Sequence, residues 1–194
     1  HPTITVAVHG PADLGRIFFF SEFAVAVAGW VLGINAFDQP NVQGAKDNTN
    51  EVLAAGELPQ LDPGDAEELF AQSGPPKYVA IMAYLQPSDD FDAAIDEMRE
   101  RIRDHTKSAT TFGYGPRFLH STGQYHKAGP PNGLFVQFVH DGDEDVEIPE
   151  AGYGFRHLKN AQALGDLQTL RDHGLTAVQI RLEGDPAEAV RRLP

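Results

Sequence analysis

The chain has 194 residues, 41% of them hydrophobic, which is enough for one large domain or two small lobes with a real core. Its 15 basic residues stand against 28 acidic ones. The resulting net charge of -13 argues against nucleic acid or an anionic membrane as a partner, because both favour basic patches. A small anionic ligand is still compatible with this charge, since a few local donors can hold it. Cysteine is absent, which excludes disulfides and thiolate metal sites and fits a cytoplasmic protein.

The most apolar part of the chain lies near its start. The segment 3–8 is short and rich in β-branched side chains, which predicts a strand. Asp13 is a candidate N-cap for a helix over residues 14–32, and Gly33 is expected to end that helix. The helix is apolar nearly all round, so we expect it to be buried at the centre of its domain. It contains Glu22, which favours a buried helix over a membrane span.

Strands and helices alternate along the rest of the chain. The continuous apolar run at 78–85 is typical of a strand inside a parallel sheet. Ser88 precedes the clearest amphipathic helix, whose apolar stripe is Phe91, Ala94, Ile95, Met98 and Ile102. Further strands are predicted at 109–114, 134–139 and 177–182, and further helices at 47–55, 65–72, 155–173 and 186–193. This alternation predicts an α/β fold with a mostly parallel sheet that is covered on both faces.

The first candidate functional stretch is 33–50, where polar residues follow the apolar helix. Lys46 is expected close to the start of a helix, where a positive charge opposes the helix dipole, so its placement suggests a functional role. A lysine there can hydrogen-bond a sugar oxygen or donate a proton. The alternative is an ordinary solvated lysine. Gln39 and Asn41 are candidates for binding hydroxyl groups and are equally compatible with a turn.

The second candidate stretch is 113–130, which follows a predicted strand at the edge where open α/β sheets place their ligands. Its arginine, histidines and hydroxyl groups suit a polar, phosphorylated ligand. In the alternative interpretation it packs the sheet edge or forms a subunit interface. Two glycine pairs lack the third glycine of a dinucleotide loop, and the acidic segment 141–145 lacks the turn glycine of a calcium loop and is expected to be solvated. His120 and His126 lack an evident third ligand, so neither a metal nor another cofactor is predicted.

Three segments resemble glucose-6-phosphate isomerase. Residues 37–46, Phe-Asp-Gln-Pro-Asn-Val-Gln-Gly-Ala-Lys, match a family segment in which Phe-Asp-Gln and a lysine at the same distance follow a long apolar helix and Gly-x-Asn. This variant looks most like the isomerase part of bifunctional transaldolase/glucose-6-phosphate isomerase fusions. Residues 112–124 and 160–166 look like the distal part of the same fusions, so the resemblance covers nearly the whole chain.

The resemblance implies a sugar-isomerase domain with a three-layer α/β/α sandwich. It also implies the interconversion of glucose 6-phosphate and fructose 6-phosphate without a metal or nucleotide. In that family a glutamate base moves a proton between C1 and C2 through a cis-enediolate, and Lys46 matches the active-site lysine. The family's ring-opening histidine has no clear match in this sequence, and His120 is a candidate for that role by its chemistry alone. The candidate substrate contacts are Gln39, Arg117, Ser121, Thr122 and Gln124.

The resemblance also implies that part of the active site lies elsewhere. The base glutamate, an arginine and a Ser/Thr-rich phosphate loop come from an upstream lobe in the family, and their motifs are not visible before residue 37. We therefore expect residues 1–194, with possible lobes 1–74 and 75–194, to be a C-terminal portion that is inactive alone. Family members are commonly homodimers. The alternatives are a non-catalytic module that binds sugar phosphates and a structural or interface domain.

Overall fold

The structure is a computed structural model that describes residues 3, 5–38, 40–56, 58 and 64–193. Two compact units make up the chain, His1–Asp38 and Gln39–Pro194, and each is described by itself. The predicted division into lobes 1–74 and 75–194 stays a prediction.

The first unit contains one long helix, α1 (Pro11–Leu32). It begins at Pro11, a residue whose fixed φ suits the first helical turn, so the predicted cap at Asp13 is wrong. The Asp13 carboxylate lies inside the helix, where it accepts a hydrogen bond from the His9 backbone N–H at 2.9 Å. The predicted end is confirmed, because Gly33 has a φ of 69° and takes the left-handed conformation typical of a helix terminus.

The strand predicted at 3–8 is wrong for the described residues, because residue 3 and residues 5–9 form no strand. Val6 and Val8 are 53% and 54% exposed. β-branched residues favour a strand mainly through packing on a half-buried pleated surface, and these two side chains have no such surface.

Burial of α1 is a second expectation that the structure contradicts. Its aromatic side chains are exposed, and Trp30 and Phe19 are 82% and 71% accessible. A helix that is apolar all round needs cover on every side, and the pattern alone does not say what provides it. By length and composition α1 is also long enough to cross a membrane, a test that core helices of soluble proteins and signal sequences pass as well.

The second unit is built on a four-stranded sheet, and all of its described strand pairs are parallel. The order is β2-β1-β3-β4. The chain therefore runs from the central strand β1 outward to β2 and, on the other side, from β3 outward to β4. The strands are β1 (Tyr78–Tyr84), β2 (Ala109–Tyr114), β3 (Gly133–Val139) and β4 (Thr176–Arg181). The predicted α/β class with a parallel sheet is thereby confirmed, whereas the sugar-isomerase fold stays a prediction.

Helices cover both faces of this sheet. They are α2 (Pro40–Ala55), α3 (Ala66–Ala71), α4 (Asp89–Thr106), α5 (Ser121–Ala128), α6 (Phe155–Asp172) and α7 (Pro186–Arg191), with a 3₁₀ turn at Arg117–Leu119.

Two hydrophobic cores, one on each face, form a sandwich of three layers. Val79, Ile81 and Ala83 point into the core shared with α4 and α7. Ala80, Met82 and Tyr84 point into the opposite core, which contains α6 and the 3₁₀ turn. This two-residue alternation explains why β1 is apolar throughout. The predicted stripe of α4 is confirmed, because all five of its residues are buried in the first core.

Two polar stretches are more helical than predicted. α2 begins at Pro40 rather than at residue 47, because a proline and its asparagine neighbour open a helix here instead of forming a turn. Lys46 therefore lies in the second turn of α2, and its predicted position close to the start of a helix is wrong. The stretch 115–131 contains α5, a helix that the sequence pattern does not predict. Gly123 is part of that helix. A glycine is needed there, because a β-carbon would lie 2.2 Å from the Phe118 carbonyl oxygen.

α6 packs against the sheet on one side and against α2 on another. Gly165 permits close approach of α2, because a β-carbon at this position would lie 2.6 Å from Thr49 Oγ1. Next to this contact, Asn48 Nδ2 donates to Thr169 Oγ1 at 2.9 Å. These contacts fix the side of α2 that carries Lys46 relative to α6.

Candidate functional site

A cavity of about 340 Å³ lies between α2, the 3₁₀ turn and α6, and we call it the Lys46 cavity. It brings together Lys46 and His120, the two residues predicted to be catalytic, which are far apart in the sequence. The other polar side chains in its wall are Thr49, Asn50, Tyr153 and Gln162, and its apolar wall is Val42, Ala45, Leu53, Pro116, Leu119 and Leu158.

Three elements position the polar groups of the Lys46 cavity. Lys46 and Asn50 are four residues apart on α2, so their side chains share one face of that helix. His120 joins the 3₁₀ turn to α5. Leu158 and Gln162 have the same four-residue spacing on α6. The cavity thus exists only when α2, α5 and α6 are docked together.

The electrostatics of the Lys46 cavity favour an electron-rich ligand. Lys46 is the only lysine or arginine in the wall, and no carboxylate stands among its described lining residues. Amide and hydroxyl groups suit the oxygen atoms of a polyhydroxylated ligand. An ammonium group can stabilise negative charge that develops on such an oxygen. The described wall contains no carboxylate that can abstract a proton from carbon.

Two side chains of α5 hold it, and therefore His120, in place. Gln124 Oε1 accepts a hydrogen bond from the Asn41 backbone N–H at 2.9 Å, which ties α5 to the start of α2. Lys127 Nζ lies 2.5 Å from Asp166 Oδ1 of α6, and both side chains are at most 2% exposed. Burial raises the pKa of Asp166, and the positive charge of Lys127 opposes that rise.

The other predicted site residues are not collected in the Lys46 cavity. Arg117 and Thr122 line a second cavity of about 280 Å³, which we call the Arg117 cavity. Ser121 and Gln124 are in the wall of neither cavity, although Gln124 supports α5 as described. Gln39 lies outside the described residues. Whether the predicted residues bind substrate stays a prediction.

Sequence reasoning missed Tyr153 and Gln162 as parts of the cavity wall. Gln162 falls within the segment 160–166 that carries the family resemblance, which is a usable signal. Tyr153 follows the acidic segment 141–145, which is more ordered than expected. Asp141 Oδ2 accepts from Arg181 at 2.6 Å, and Asp145 Oδ1 accepts from the Arg156 backbone N–H at the start of α6 at 2.8 Å.

No family model matches the chain. A 50-residue segment is 44% identical to glucose-6-phosphate isomerase of Leptospira biflexa, covering 26% of this chain and 11% of that protein. Segments of 54 and 43 residues are 45% and 50% identical to the isomerases of Exiguobacterium sibiricum and Clostridium perfringens, covering 27% and 22% of this chain. The chain shows local similarity to glucose-6-phosphate isomerase. The matches span 12% and 10% of those two proteins, so they cover about a tenth of the relatives' length.

The fold resembles that of a solved structure, a hypothetical protein from Thermus thermophilus. The TM-score is 0.50 at 21% sequence identity, and the likeness covers 80% of this chain and 43% of that one. At this identity the likeness supports the α/β fold alone.

Proposed function

We propose that the chain supplies part of the active site of a glucose-6-phosphate isomerase and that the Lys46 cavity is that part. One observation carries the proposal, namely that Lys46 and His120 line one cavity together with amide and hydroxyl groups. The local identity of 44–50% to isomerases supports the same reaction class.

The proposed reaction interconverts glucose 6-phosphate and fructose 6-phosphate. Lys46 would stabilise negative charge on the C1 and C2 oxygens of a cis-enediolate. His120 would exchange a proton with the ring oxygen when the sugar ring opens. Asn50 and Gln162 would bind hydroxyl groups of the open chain, since each amide offers both a donor and an acceptor.

The base that moves the proton between C1 and C2 must come from outside the described cavity wall, because that wall contains no carboxylate. We assign it to an upstream lobe of a longer polypeptide, in keeping with matches that span only about a tenth of the relatives. A homodimer, a cytoplasmic location and a fused transaldolase domain are part of the same proposal. The chain alone is then expected to bind the sugar phosphate without isomerising it.

The test begins with titration of glucose 6-phosphate into the isolated chain, with binding monitored by NMR. Lys46→Met is expected to weaken binding about tenfold or more, because Lys46 is the only lysine or arginine among the described residues of the wall. Lys77→Met removes the same charge elsewhere and is the matched control. Equal binding by wild type and Lys46→Met would refute the assignment of the site.

Catalysis is tested by adding the upstream lobe. Lys46→Met is then expected to lower kcat about a hundredfold, the usual effect of losing one group that stabilises an oxyanion. Full activity of the Met variant would show that Lys46 is not part of the mechanism. Substantial isomerisation by the chain alone would refute the claim that the base lies upstream.

A non-catalytic module that binds sugar phosphates is the second candidate, and the lack of a carboxylate in the described wall favours it. It predicts binding without turnover even when the upstream lobe is restored. A purely structural role predicts that Arg117→Ala or His120→Ala alters subunit association and leaves sugar binding unchanged.

A further inference from the structure

The Arg117 cavity lies on the opposite side of the 3₁₀ turn from the Lys46 cavity. Pro116, Leu119 and His120 face the Lys46 cavity, whereas Arg117 and Phe118 face the other one. This short turn therefore divides residues that the sequence had placed in a single site. Among the residues that the structure describes, none lines both cavities.

A glycine in the sheet lines the Arg117 cavity. Gly113 pairs with Met82 in the register of β1 and β2, and both line the cavity. A β-carbon at Gly113 would meet Phe118 at an ordinary contact distance of 3.6 Å, so the glycine is not needed for close packing. A glycine inside a strand that packing does not require often marks a place where a ligand approaches the backbone.

The polar groups of the Arg117 cavity come from the 3₁₀ turn and from one face of α5. Thr122 and His126 are four residues apart, so they project from α5 on the same side. Lys127 and Gln124 contact other elements, namely α6 and α2. One face of α5 thus lines the Arg117 cavity, and other residues of this helix contact α6 and α2.

His126 is built into the cavity rather than lying on the surface. It is only 5% exposed, and its ring contacts Phe135 edge-on with ring centroids 5.1 Å apart. Burial and the neighbouring charge of Lys127 lower the pKa of His126 to about 4. The imidazole is therefore neutral near pH 7 and can act as both a donor and an acceptor.

The charge of the Arg117 cavity is opposite to that of the protein. Arg117 is its only lysine or arginine, and no carboxylate occurs among its described lining residues, although the net charge of the chain is -13. The carboxylate of Asp92 lies close to the wall but accepts a hydrogen bond from the Tyr114 hydroxyl at 2.5 Å. A guanidinium group matches the geometry of a phosphate through two parallel hydrogen bonds.

We propose that the Arg117 cavity is a second ligand site, independent of the Lys46 cavity, that binds a small organic phosphate through Arg117, Thr122 and His126. The phosphate group lies at Arg117, which is exposed, and the organic part extends over Gly113 towards His126. A volume of about 280 Å³ holds a compound of a few carbon atoms, and it lies just below the range of about 300–1,000 Å³ usual for sites of drug-sized ligands.

The probes are sn-glycerol 3-phosphate, inorganic phosphate and glycerol, each titrated into the chain and followed by NMR. We expect glycerol 3-phosphate to shift the Gly113 and Thr122 amide signals and the ring signals of His126. Inorganic phosphate is expected to bind more weakly, and glycerol is expected not to bind. Equal affinity for the two phosphates would overturn the assignment of an organic ligand.

Three variants test the site by different means. R117Q removes the charge and is expected to weaken glycerol 3-phosphate binding about tenfold or more. Gly113→Val fills the floor of the cavity and leaves every charge in place, and it is expected to abolish binding. Thr122→Val is the second test should the Gly113 variant not fold, and it is expected to weaken binding several-fold.

K46M separates this inference from the proposed isomerase function. It is expected to leave glycerol 3-phosphate binding unchanged, whereas R117Q is expected to leave glucose 6-phosphate binding at the Lys46 cavity unchanged. Wild-type affinity in both R117Q and Gly113→Val would refute the second site. So would an equal loss of affinity in K46M and R117Q, which would show that the two cavities form one site.

Discussion

Replacement of Lys127 by methionine tests most directly how much the buried ion pair between α5 and α6 stabilises the fold. Methionine keeps an unbranched side chain of similar length but leaves the Asp166 carboxylate without its cation. That carboxylate is 2% exposed, and its Oδ2 atom has no hydrogen-bond partner among the described residues. Breaking a buried pair by removing one partner costs about 3–5 kcal/mol. With a urea slope of about 2 kcal/mol/M, the unfolding midpoint should fall by about 2 M.

The pH dependence of this cost has a definite sign. Burial raises the pKa of Asp166, and removing Lys127 removes the charge that opposes the rise. A carboxyl group with a raised pKa in the folded state binds its proton more tightly there than in the unfolded chain. The cost of Lys127→Met is therefore smallest below the unfolded pKa of about 3.9. It grows as the pH rises through the higher folded value of Asp166.

The assay is urea unfolding at several pH values between acid and neutral, followed by far-UV circular dichroism. Tryptophan fluorescence is unsuitable because Trp30, the single tryptophan, lies in α1. Lys77→Met is the matched control and is expected to be nearly neutral. The double variant Lys127→Met/Asp166→Leu removes both charges and should recover most of the loss. A cost below about 1 kcal/mol for the single variant, or no recovery in the double, would refute the reasoning.

Two more predictions concern a close contact between helices and a buried hydroxyl group. Gly165→Ala places a β-carbon 2.6 Å from Thr49 Oγ1 and should destabilise the fold by about 1–3 kcal/mol, whereas Gly44→Ala on α2 meets nothing within 4 Å and should stabilise it by about 0.5–1 kcal/mol. Urea unfolding of both variants checks this, and a stable Gly165 variant would contradict it. Tyr84→Phe removes a buried hydroxyl that has no partner among the described residues, so the melting temperature should stay equal or rise. A fall of several degrees would show that the hydroxyl is satisfied in solution.

The elements that were predicted correctly are those whose local hydrophobic pattern is enough to indicate a helix or a strand. The stripe from Phe91 to Ile102 repeats with the helical period, and the five residues are buried as that period requires. β2 has the predicted bounds, and β1, β3 and β4 differ from the predicted bounds by one residue at one or both ends. In these segments local propensity and the tertiary fold favour the same structure.

The elements that were predicted wrongly depend on partners that a pattern does not specify. Residues 5–9 have the composition of a strand but lack a sheet to join. Pro40 and Gly123 are typical of loops in a sequence pattern, although one opens α2 and the other lets α5 approach Phe118. A breaker residue marks a special backbone requirement, and only the neighbouring elements decide whether that requirement is a turn or a close contact.

The predicted site residues lie in two separate places in the structure, and their roles stay predictions. Lys46 and His120 do line one cavity, but the 3₁₀ turn places Arg117 and Thr122 in another. Sequence spacing cannot reveal this, because it depends on which side of a short turn each side chain leaves the backbone.

The buried polar contacts of α6 limit which substitutions the second unit can accept. The buried polar residues of this helix each contact a different neighbour, since Asn160 donates to Asp141, Asp166 accepts from Lys127, and Thr169 accepts from Asn48. These bonds reach the loop after β3, α5 and α2, so α6 is the hub on which the elements of both cavities converge. Amide hydrogen exchange should be slowest in α6, because this helix can unfold only after its hydrogen bonds to all three neighbours have broken. A substitution in α6 should therefore change the ligand affinity of both cavities at once.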